Sequence, residues 1–113
     1  MNNVLLVCYV TPKIGLGHFS RLMALAYALL KDNKCLPEFL IFGNYIEIDA
    51  LKNFKVHYYE TSKNLIFSLQ DVIENNHYSA IVFDLYPKHS NDNLGTLFCQ
   101  LKNLNINLIS IDS

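Results

Sequence analysis

Gly15, Gly17, His18, Ser20 and Arg21 lie within seven residues of one another, and Arg21 is the only arginine of the chain. Glycines let a backbone approach a bound group closely, and the first turn of a helix offers unpaired N–H groups and partial positive charge to an anion. Placed where a first strand hands over to a first helix, these residues suit a phosphate-bearing ligand. His18 opens the helical pattern, where the positive end of the helix dipole disfavours imidazolium, so its ring is expected to be neutral and able to accept a proton. Arg21 follows three residues later on roughly the same face, although a cation so early in a helix opposes the dipole. Thr11 and Lys13 border the same turn; Thr11 and Ser20 join the candidate substrate-binding set, whereas Lys13 reads as a solvated loop charge. The same spacing also fits a glycine-rich turn with a capping polar residue and a surface arginine.

The elements that must position these residues follow from periodicity. Residues 3–9 read as a first strand, and Leu22, Leu25, Ala26, Leu29 and Leu30 recur at helical steps up to about Asp32. Pro37 opens a second strand through Phe42, Gly43 and Asn44 break it, a short helix covers residues 46–51, and a third strand runs over 55–59. Leu65, Ile66, Leu69, Val72 and Ile73 form a helical stripe. The continuous run Ala80-Ile81-Val82-Phe83 reads as a strand buried on both faces and ending at Asp84. A loop at Pro87, a helix near 93–104 and a strand over 107–111 complete the pattern. Alternating strands and helices imply an α/β domain with a doubly wound parallel sheet, in order 3-2-1-4-5, whose ligand crevice opens between the first and fourth strands. His18 and Asp84 are both expected to face it.

At the far wall of that crevice, Asp84 can orient or acidify a neighbour and Tyr86 can bond a ligand hydroxyl; equally, Asp84 can cap the loop and Tyr86 can pack. Cys8, Cys35 and Cys99 are scattered and read as small core residues, with no disulfide framework or zinc site. His57, His77 and His89 lack metal-ligand spacing and read as surface or packing residues, and Tyr58, Tyr59 and Phe67 as core.

The 113 residues make one domain, with 51% apolar residues to fill a core and a net charge of -1 that supplies no attraction for nucleic acid. Neither residues 4–10 nor 22–30 are suited to span a bilayer, and the start lacks the layout of a secretory signal, so the cytoplasm is the expected compartment.

Ile14-Gly15-Leu16-Gly17-His18-Phe19-Ser20-Arg21, with Ala24-Leu25-Ala26 one turn on, resembles the N-terminal signature of the UDP-sugar hydrolases of pseudaminic acid biosynthesis and their spore-coat polysaccharide relatives. Ala80-Ile81-Val82-Phe83-Asp84-Leu85-Tyr86 resembles the family strand that ends in an Asp with a Tyr two residues on, and Leu108-Ile109-Ser110-Ile111-Asp112-Ser113 resembles its fifth strand. The resemblance implies a glycosyltransferase GT-B fold, of which this chain, a single Rossmann-like domain, corresponds to the N-terminal half.

It further implies that His18 activates water for attack on the anomeric carbon of a UDP-sugar, with Asp84 and Tyr86 beside it, Gly15, Gly17, Ser20, Arg21 and Thr11 contacting substrate, and neither metal nor cofactor. UDP in that family is held mainly by a second Rossmann-like domain. The expected partner is therefore a second domain or chain carrying the nucleotide-binding half, or a second copy in a homodimer. The alternative expectation is a non-catalytic nucleotide-sugar-binding or protein-interaction module.

Overall fold

Asn2–Val10 forms strand β1, and its run of apolar residues is buried from Val4 through Cys8, as a strand covered on both faces requires. The computed structural model describes residues 2–10, 17–32, 35–43, 49–59, 65–84, 99 and 103–111. After β1 come helix α1 (Gly17–Lys31), strand β2 (Cys35–Gly43), a 3-10 turn (Asp49–Asn53), strand β3 (Lys55–Tyr59), helix α2 (Leu65–Glu74), strand β4 (Ala80–Asp84) and strand β5 (Asn107–Ser110). All five strands are parallel, in the order β3-β2-β1-β4-β5, which is the expected doubly wound order.

The order reverses at β1, and the sheet has an apolar layer on each face. On one, Phe19, Leu22, Met23 and Ala26 of α1 pack on Leu6 and Cys8 of β1, Phe39 and Ile41 of β2 and Val82 of β4. On the other, Leu69 and Val72 of α2 meet Leu5 and Val7, Leu40 and Phe42, and Ile81 and Phe83. The alternation of neighbours along each strand between the two layers is the period-2 pattern of a sheet covered twice.

Helix α1 opens at Gly17 and His18, as the sequence leads one to expect, and Phe19 in its first turn is buried against Phe39, with ring centroids 5.9 Å apart. Several expectations shift in detail. Strand β2 begins at Cys35, two residues before Pro37, in a stretch paired with β1 alone; pairing with β3 starts at Glu38, so a residue without an N–H is tolerated. The helix expected over 46–51 is the 3-10 turn at Asp49–Asn53, with residues 44–48 outside the described ones. Of the helix expected near 93–104, Cys99 is helical, residues 103–105 form a turn and the others lie outside the described residues.

The break expected at Gly43 has a specific cause. Gly43 ends β2 at φ 134°, opposite Val10, and a Cβ there would stand 1.8 Å from the Val10 carbonyl oxygen. Only glycine lets the ends of β1 and β2 approach so closely.

Candidate functional site

Asp84 is the last residue of β4 and lies in register with Cys8 of β1, its neighbour across the point where the strand order reverses. Ile81 and Phe83 turn to the α2 face, so Asp84, like Val82, turns to the face that α1 covers. There the carboxylate is fully buried. An isolated charge in such a place is strongly unfavourable, and the fold supplies a partner from α1. The Arg21 guanidinium grips Asp84 in a two-pronged pair: Nε donates to Oδ2 at 3.0 Å and Nη2 donates to Oδ1 at 2.7 Å. Arg21 itself stays 45% exposed, so the pair reaches from the buried strand end to the surface.

This pair accounts for a cation that opposes the dipole of its own helix. No acidic residue occupies the first turn of α1, and Arg21 is matched instead by a carboxylate from β4, 63 residues away in sequence. Beside Asp84, burial and then the Asp84 charge push the Cys8 thiol up to about 12 from its usual 9.0, so the sulfur is held protonated and is no nucleophile.

Among the other sequence candidates, Gly17 and His18 open α1, which places the His18 backbone one turn ahead of Arg21 at the helix end; the His18 side chain lies outside the described ones. Ser20 is exposed on the same turn. Thr11, Gly15 and Tyr86 lie outside the described residues. No group of three metal-ligating side chains occurs among the described residues.

A second polar cluster escaped the sequence reading. Glu38, in the apolar run of β2, is buried on the α2 face, where its Oε1 accepts a hydrogen bond from the Tyr78 hydroxyl at 2.9 Å and lies 3.1 Å from His57 Nε2. Lys55 Nζ stands 4.0 Å from the same oxygen and donates to Asn76 Oδ1 at 3.3 Å. The available signals were a lone acidic residue among Leu36, Phe39 and Leu40, and the alternation of Lys55 and His57 along β3. His57 is thus a packing residue with a carboxylate partner. The cysteines divide, and the core expectation is corrected for one of them: Cys8 is buried and Cys35 half-buried, but Cys99 is exposed. His77 is exposed, Tyr58 and Tyr59 are half-buried, and His89 and the Phe67 side chain lie outside the described ones.

The five-stranded parallel sheet, with its order reversing between β1 and β4, defines a Rossmann-like α/β domain. Compared with protein-family models, with curated proteins and with solved structures, the chain matches none of them. No helix among the described residues is long and apolar enough to cross a membrane.

Proposed function

We propose that this chain is the N-terminal, catalytic-side half of a UDP-sugar hydrolase of GT-B type, acting in surface polysaccharide or nonulosonic acid biosynthesis. His18 takes a proton from water as the water oxygen attacks the anomeric carbon. The bond from that carbon to the phosphate oxygen breaks, and UDP leaves with the electron pair. General-base assistance and a stabilised phosphate leaving group are the two demands of this reaction. A helix start at the reversal of strand order answers both in kind, with N–H groups for the phosphate and an imidazole for the water. A second nucleotide-binding domain, on this chain or another, completes the grip on UDP. The free cysteines fit a reducing compartment such as the cytoplasm.

The observation that carries this reading is the Arg21–Asp84 pair, which ties the turn beginning at Gly17 and His18 to the end of β4, beside the crevice where open α/β sheets take their ligands. UDP release from a panel of UDP-amino-sugars tests it. Release by the wild-type protein that is lost in His18→Ala is expected, and equal release by both overturns the assignment of His18.

A further inference from the structure

We propose that Asp84 and Arg21 are positioning residues, a latch that sets the first turn of α1 against the end of β4 and so holds His18 in place; this rests on the reading of His18 as the base. Four features support it. The contact uses both carboxylate oxygens and two guanidinium nitrogens, a planar fork that restricts angle as well as distance. Asp84 is wholly buried, so drawing Arg21 away to clamp a phosphate would take two charge-assisted hydrogen bonds from a buried carboxylate. The guanidinium charge is thereby matched within the protein, which makes Arg21 a poor independent clamp for a diphosphate.

The third feature is position. Arg21 follows His18 by three residues, close to one helical turn, so whatever fixes the Arg21 side chain fixes the rotation of the turn that carries His18. The fourth is that the rest of α1 is held by apolar packing of Phe19, Leu22, Met23 and Ala26, an attraction that has no direction of its own. A directional polar pair supplies the register, which is the best-attested use of a buried ion pair.

The test combines an activity-independent readout with kinetics, on Arg21→Lys and on the double variant Arg21→Met/Asp84→Leu. The double variant replaces the buried Asp84 and the half-exposed Arg21 by apolar groups, which removes the pair without leaving one of its charges behind. In the folded variants, native-state hydrogen exchange at the Leu22 amide, which in an α-helix bonds the His18 carbonyl, is expected to rise at least about tenfold relative to Ala26 in the same helix. The kcat for UDP release is expected to fall about tenfold or more with KM unchanged, as for a misplaced base. Unchanged exchange at Leu22, or a raised KM with kcat intact, would overturn the latch, the second result making Arg21 a substrate-contacting residue. Faster exchange at Leu22 together with UDP release that His18→Ala leaves unchanged would uphold the latch and refute His18 as the base.

Discussion

The Tyr78 hydroxyl and the Glu38 carboxylate meet at 2.9 Å inside the α2-facing layer, joining the segment that leads into β4 to the middle of β2. Because Glu38 is also the partner of His57, its loss strands more than one donor. Glu38→Ala is expected to cost about 2–4 kcal/mol, as a cavity adds to the unpaired groups, and Tyr78→Phe about 1–2 kcal/mol. Urea denaturation of the three proteins checks the ranking; a Tyr78→Phe variant less stable than Glu38→Ala would contradict it.

Stability should fall in alkali for an identifiable reason. Burial, then the hydrogen bond and charge of Glu38, raise the Tyr78 pKa above 10.0, and the Cys8 thiol is pushed up to about 12. The unfolded chain therefore releases these protons first, and the stability they contribute, fully present below pH 9.0 for Cys8, is lost as pH climbs from there towards about 12. Cys8→Ser removes the thiol but adds a hydroxyl to a dry site, so Cys8→Ala is the better probe: its stability should decline less steeply over that interval. An identical slope would show that Cys8 has no part in it.

Thiol labelling offers a simpler check on the same residue. Cys99 is exposed and Cys8 is wholly buried, so a thiol reagent at neutral pH should modify Cys99 rapidly and Cys8 only after unfolding. Rapid modification of Cys8 in the native protein would contradict the packing at the β1–β4 junction.

Gly43 permits no side chain. With φ at 134° and the Val10 carbonyl oxygen 1.8 Å from where a Cβ would sit, Gly43→Ala must push the ends of β1 and β2 apart. A loss of about 3 kcal/mol or more is expected, from backbone strain together with disrupted pairing. Thermal melting checks it, and an Ala variant as stable as the wild type would contradict the close approach.

Much of the architecture was legible because it depends on local pattern. The apolar run of residues 81–83 and the helical stripe through Leu69 and Val72 each announce their element without help from distant residues, and the strand order follows from chirality once the elements are known. Positions set by distant partners were less legible. Arg21 and Asp84 were each singled out, yet nothing local states that they bind each other across 63 residues. Glu38 passed unnoticed because its partners come from β3 and from Tyr78, 40 residues away. Cys99 misled because a cysteine in an apolar-looking stretch usually packs inside, whereas here it faces solvent.

The central claim, that a nucleotide sugar binds where α1 begins beside the β1–β4 reversal, is tested most directly by titrating a UDP-amino-sugar into isotope-labelled protein and following the backbone amides by NMR. The account predicts shifts concentrated at Gly17–Arg21, Val10 and Asp84, diminished in Gly17→Val. Shifts confined to β3 or β5, or none at any attainable concentration, would contradict it.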